Sequence, residues 1–231
     1  MFKYLIYAVI AASIVYGTIF SYPGIFFKNS YEHKNMAIYS HEPIKGDVDS
    51  IINKVYEKIS QAEFFNPDLK FRFYIVKNLR QYAFFTAFKG KDYSYVFPLN
   101  GNIFLASADF EKNKANCKNC EEKSARDLDI VMACAATEDI IRQKLEFLKY
   151  ITSSQWKHEG YGEYIAGETG YFEPSDICGK SETDNAWLKF YKRHLAIKML
   201  MIEDKYSFAR VLDKNLSYEG MEKRLKKRHC R

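Results

Sequence analysis

No charged residue stands between Tyr4 and Phe27, and no histidine stands between His41 and His158. The first gap excludes an ordinary water-exposed start to the chain. The second excludes any metal motif with two imidazoles one helical turn apart throughout the middle of the sequence. Internal repeats, low-complexity stretches and nucleic-acid motifs are also missing, so the net charge of +6 identifies no nucleic-acid partner. Its one basic concentration, Lys223, Arg224, Lys226, Lys227, Arg228 and Arg231, reads as a solvated helix face or a frayed tail. Cysteine pairing is incomplete by count: Cys117, Cys120, Cys134, Cys178 and Cys230 leave at least one thiol unpaired within the chain. Cys117 and Cys120 have the spacing of half a zinc knuckle, but no second pair follows. A local loop disulfide outside the cytoplasm or two free thiols is the better reading.

What is present suits one sizeable domain with an appendage. With 47% apolar and 16% aromatic residues, 231 residues are ample for a packed core. The appendage is the uncharged run, whose Tyr4–Phe20 portion is almost wholly apolar and reads as a membrane-spanning helix. Lys3 precedes it, and Tyr16, Tyr22 and Phe26 suit an interface. Ala11-Ala12-Ser13 falls inside the run rather than at its end, which favours an uncleaved signal anchor over a cleaved signal peptide. Residues 1–28 are thus expected to be the anchor and residues 29–231 a soluble domain. The expected topology is single-pass, with a cytoplasmic amino terminus and the domain on the periplasmic or extracellular side.

Within the domain, Pro23-Gly24 ends the anchor, Ala37–Ser40 reads as a short strand, and Asp47 opens an amphipathic helix through about Ala62. Phe71–Val76, Tyr82–Phe88 and Ile103–Ala106 follow as strands, and Glu111–Ala125 as a surface loop. The later half is helical. Val131, Cys134, Glu138, Ile141, Leu145 and Leu148 form one stripe of a long helix, Leu128–Tyr150. Glu138 inside that apolar stripe needs an upward pKa shift or an approaching partner. Trp187, Phe190, His194, Ile197 and Met201 make the buried stripe of a helix over 184–203, where His194 reads as a hydrogen-bonded core histidine in preference to a ligand. Ser207–Leu212 and Tyr218–Arg228 close the chain as short helices. The expected class is α+β, a short mixed sheet packed on a mostly helical second half.

The segment Trp156-Lys157-His158-Glu159-Gly160-Tyr161-Gly162-Glu163-Tyr164-Ile165-Ala166-Gly167 carries the chemistry. Glu159 and Glu163 share a helix face and require a counter-charge, for which Arg142, Lys157, Arg193 and His194 are candidates. The pattern Trp-x-x-Glu-Gly-x-x-Glu-Tyr-Ile-Ala resembles the glutamate helix of gluzincin-type zinc metallopeptidases, and the order of elements over residues 31–213 is similar to a small membrane-anchored gluzincin-like family. The resemblance implies a zincin-like fold in which Glu159 is the third zinc ligand and Glu138 a vestigial general base. Thr137 and Ile141 then stand in the two histidine positions. Neither supplies a zinc-ligating imidazole, so no metal is expected although the family uses zinc. His158-Glu159 starts a similar motif, but Gly162 stands where its second histidine belongs. A cleft bordered by Ile103, Phe104, Leu105, Trp156, Glu163 and His194 is implied, with Ile103–Ala106 as a peptide-holding edge strand.

The expected function is therefore a membrane-tethered, catalytically inactive peptidase-like protein whose cleft binds a peptide or protein segment. Its expected partners are the membrane and that segment, and no nucleic acid. The alternative is an active metal-dependent hydrolase with a site rebuilt from Glu138, Glu159 and His194, joined by His158. A third reading is a structural envelope protein whose cleft is filled by side chains.

Overall fold

The structure is a computed structural model and describes residues 4, 6–7, 16–89, 92–117, 125–167, 172–179 and 186–230. A five-stranded mixed sheet precedes a mostly helical second half, as the α+β expectation requires. The strands are β1 (Asn29–His33), β2 (Met36–Ser40), β3 (Phe71–Ile75), β4 (Ser94–Val96) and β5 (Asn102–Leu105), in the order β1-β2-β3-β5-β4. β2, β3 and β5 run parallel, and the two outer strands run antiparallel to their neighbours. Helix α1 (Val48–Ile59) connects β2 to β3. The Asp47 carboxylate accepts from Ser50 N–H at its amino end, and Val48, Ile51, Ile52, Val55 and Ile59 form its buried stripe.

Helix α2 (Leu79–Phe85) replaces the strand expected at Tyr82–Phe88. The aromatic-rich composition there favours a strand, but Asn78 accepts from Gln81 N–H and nucleates a helical turn. Phe88 N–H then donates to Ala83 O, with Ala87 and Phe88 both at positive φ where glycine is the usual occupant. The second half holds a two-stranded ladder of β6 (Lys114–Ala115) and β7 (Arg126–Asp127). It is followed by α3 (Leu128–Lys144), α4 (Phe147–Thr152), α5 (Gln155–Ala166), α6 (Ala186–Lys198), α7 (Phe208–Asp213) and α8 (Tyr218–His229). The continuous helix expected over Leu128–Tyr150 is broken, because Leu145 is extended (φ −89°, ψ 147°). α4 turns back from the break, and Leu148 is left exposed.

Alternation along the strands divides the sheet between two cores. Phe71, Phe73, Ile103 and Leu105 face α1, α3 and the helical half. Tyr74 and Phe104 face a second, aromatic cluster with Phe27, Tyr82 and Phe85. Phe20 is buried and stacks on Phe97, and its carbonyl accepts from the side-chain amides of Asn100 (2.8 Å) and Asn102 (3.0 Å). The packing of the folded part thus begins near Tyr16, on the anchor side of the 28/29 boundary. No helix among the described residues is long and apolar enough to cross a membrane. Residues 5 and 8–15 of the expected span lie outside the described residues.

Two glycines set how closely α5 is clasped. A Cβ on Gly160 would lie 2.7 Å from the Arg193 carbonyl oxygen of α6, and one on Gly162 would lie 3.0 Å from the Cys134 carbonyl oxygen of α3. Gly160→Ala gains helix propensity but forces α5 and α6 apart. It is expected to destabilise the domain by about 2 kcal/mol, read as a lower urea midpoint with unchanged slope. An unchanged midpoint would show that the two helices are not this close.

Candidate functional site

Helices α3, α5 and α6 and strand β4 enclose a cavity of about 730 Å³. Tyr93, Ser94, Tyr95 and Val96 supply one wall. Val131, Cys134, Ala135 and Glu138 line it from α3, His158, Glu159 and Glu163 from α5, and Lys189, Phe190 and Arg193 from α6. Glu138, Glu159 and Glu163 therefore share one cavity. The rest of the expected set is distributed differently.

β5 is interior, with β3 on one side and β4 on the other, and Ile103, Phe104 and Leu105 are fully buried. They do not line the cavity, and an interior strand has no edge to offer a peptide. The edge role falls to β4, which among the described residues has a strand on one side only. Trp156 is also buried outside the cavity, against Tyr218 of α8. Thr137 and Ile141 are fully buried away from the cavity lining, and Thr137 Oγ1 has no hydrogen-bond partner. Paired imidazoles at those two sites would therefore enter packed core.

Both α5 carboxylates have found arginines. Arg193 pairs with Glu159, whose other oxygen accepts from Gln155 Nε2 at 2.7 Å. Glu163 accepts a two-pronged bond from Arg126 Nη1 (2.9 Å) and Nη2 (2.7 Å), and both side chains are buried. Tyr93 and Phe190 stack their rings on the same guanidinium. Arg193 was one of the four candidates, whereas Arg126 was not. Of the other three, Arg142 pairs with Asp139, Lys157 donates to the carbonyls of Leu212 and Lys214, and His194 Nδ1 lies 3.1 Å from the Glu163 backbone carbonyl. His194 is thus a hydrogen-bonded core histidine, set among Trp187, Phe190 and Tyr191 in a separate small void.

Glu138 is half-buried at the cavity wall. Burial pushes its carboxyl up to about 7, against a Tyr150 hydroxyl at 3.4 Å that favours the ionised form, and Asp139 and Asp92 add to the rise. Tyr150 stacks on the His158 ring at 5.0 Å. Burial, then Lys157, pulls His158 down to about 4, so it is neutral at pH 7. Ser153 Oγ donates to Tyr150 O, which leaves its oxygen to accept from His158 Nε2 at 2.8 Å. Burial also pushes the Cys134 thiol, beside Glu163, well up, so it stays protonated and unreactive.

This donor set does not fit zinc. Glu159 is neutralised by Arg193, the two motif positions offer a core threonine and an isoleucine, and His194 lines a different void. Among the described residues no three His, Cys, Asp or Glu side chains stand together to share a metal ion. The set Glu138, Glu159 and His194 is therefore not assembled. Elsewhere, Cys178 and Cys230 form a disulfide, Cys134 is a free thiol, and Cys117 is disulfide-bonded. Cys120 lies outside the described residues. No family model, curated protein or solved structure matches the chain.

Proposed function

We propose that this chain is a membrane-tethered, non-hydrolytic peptidase-like protein that holds an extended peptide or protein segment along β4, with a side chain lodged in the cavity. The observation that carries this reading is the combination of an edge strand as cavity wall with two α5 carboxylates bound by Arg193 and Arg126. Strand addition uses main-chain bonds for affinity and side-chain pockets for selectivity, and this cavity lies directly beneath the edge. The α3 register supports the inactive reading as well. Two cavity-lining pairs stand one turn apart on this helix, Val131 with Ala135 and Cys134 with Glu138, and the residues after the first of each are Met132 and Ala135. A catalytic helix needs imidazoles at both places of such a pair and a glutamate after the first. The Cys178–Cys230 disulfide and the uncharged amino-terminal run support a domain held outside the cytoplasm.

The β4 register supplies the test. Ala106 N–H donates to Tyr93 O and Phe97 N–H donates to Asn102 O, and Tyr95 is paired with Phe104. Residues 93, 95 and 97 therefore face β5, and the backbone groups of Ser94 and Val96 face the free edge. Ser94→Pro removes an outward N–H and no bond to β5. Extended peptides selected by display against the full chain in lipid nanodiscs should bind the Ser94→Pro variant about tenfold or more weakly, at nearly unchanged melting temperature. Equal binding by Ser94→Pro would contradict strand addition at β4.

A further inference from the structure

We propose that the face formed by α2, the β4–β5 turn and residues 22–26 lies on an anionic lipid bilayer, with its apolar side chains among the acyl chains and its lysines and arginine among the phosphates. The proposal rests on the reading of the amino-terminal run as a membrane tether, and extends it from the anchor to the domain.

Wound as a helix at 1.5 Å per residue, the apolar stretch Tyr4–Phe20 would span about 25 Å, short of the ~30 Å hydrocarbon layer. All of it is needed in the bilayer, so Phe20 marks the hydrocarbon boundary. Phe20 is not free of the domain. Its ring lies 5.9 Å from Phe84 and 5.0 Å from Phe97, and its carbonyl is held by Asn100 and Asn102. Tyr16, one turn earlier, lies 6.0 Å from Phe84. A helix so fixed brings α2 and the β4–β5 turn to the level of the boundary.

The surface around that junction fits such a level. Phe88 is 77% exposed, Ile25 75%, Tyr22 69% and Leu99 67%, with Leu79, Phe84 and Phe26 also exposed. Water solvates such a group of large apolar side chains poorly, and lipid solvates it well. Ala87 and Phe88 hold successive positive φ angles at the end of α2, a costly backbone that keeps Phe88 outward.

Charge points the same way. No carboxylate occurs before Glu32, none occurs from Val76 through Lys91, and none occurs from Tyr93 through Ala108. Asp92, between the last two segments, is paired with Lys189 at 3.0 Å. The first two segments carry Lys28, Lys77, Arg80 and Lys89, whose stems can lie along the apolar groups while their heads meet phosphate. Phe88, Lys89 and Pro98 also line the cavity. The cavity therefore extends to the lipid-facing surface, from which a segment would approach β4.

Tryptophan probes in the full chain test this. Phe88→Trp, Leu99→Trp and, as a control, Ile202→Trp replace exposed side chains, with Ile202 in the π-helical segment Met199–Glu203 that continues α6. Each is reconstituted into phosphatidylcholine–phosphatidylglycerol vesicles with brominated or ordinary acyl chains. Bromine should remove roughly half of the added emission at Phe88→Trp and Leu99→Trp and leave Ile202→Trp unchanged. If the chain floats with the vesicles but all three probes report alike, the tether stands and the lipid-facing surface is wrong. If the chain does not float with the vesicles, the tether and this proposal fail together.

Discussion

Arg126→Ala is expected to unfold the domain at 37 °C or bring it to the edge of unfolding. The substitution leaves the Glu163 carboxylate buried at the cavity wall without its two guanidinium bonds, and only the neutral Cys134 thiol stays beside it. Breaking one side of a buried pair costs about 3–5 kcal/mol, a large share of a typical domain stability of ~5–15 kcal/mol. Tyr93 and Phe190 would also lose the guanidinium they stack on. Adding Glu163→Gln should restore part of the loss, since a neutral amide is far easier to leave under-bonded than a carboxylate. Denaturant melts of the wild type, both single variants and the double variant read this directly. Additive effects would mean that the two side chains are not coupled as the structure has them.

The same pair shows where sequence reading stops. Glu159 and Glu163 on one helix face announce a need for positive charge, and Arg193 could be named because it lies on a periodic helix of its own. Arg126 follows a polar, aperiodic stretch and belongs to a two-residue strand, so no pattern ties it to α5. β4 was missed for a similar reason: Ser94-Tyr95-Val96 is too short to alternate visibly, and the edge role passed to the more strand-like Ile103–Ala106. The break at Leu145 has no glycine or proline to mark it. By contrast, α1 was legible because cap and stripe agree, from Asp47 through Ile59. Gly167, the residue after α5, adopts a positive φ, a conformation that glycine takes readily at a helix end. Thr137 and Ile141 came from aligning Glu138 with the motif glutamate. Only the packing shows that α3 faces the cavity with Val131, Cys134, Ala135 and Glu138 and turns Thr137 and Ile141 into the core.

The second large effect concerns the carboxyl end. The Cys178–Cys230 disulfide fastens the end of α8 to the turn at Pro174–Cys178 across a sequence separation of 52. Chain-entropy reasoning assigns such a loop about 4 kcal/mol of stabilisation. Paired Cys178→Ser and Cys230→Ser substitutions should therefore lower the melting temperature by about 10 °C. α8 should loosen first, since Met221 and Leu225 are its only buried side chains. Hydrogen exchange along 218–229 would locate the loss. Equal protection of α8 in both forms would show that packing, rather than the disulfide, holds the helix in place.

The central claim is that the cleft binds a peptide and does not cut it. The most direct measurement is a mass spectrum of a display-selected peptide after prolonged incubation with the full chain in nanodiscs, with Zn²⁺ present. The account predicts that the bound peptide is recovered at full mass, because Glu159 and Glu163 are held by Arg193 and Arg126 and no imidazole pair lines the cavity. Recovery of cleaved fragments, abolished by chelation or by Glu138→Gln, would contradict it and establish an active metal site.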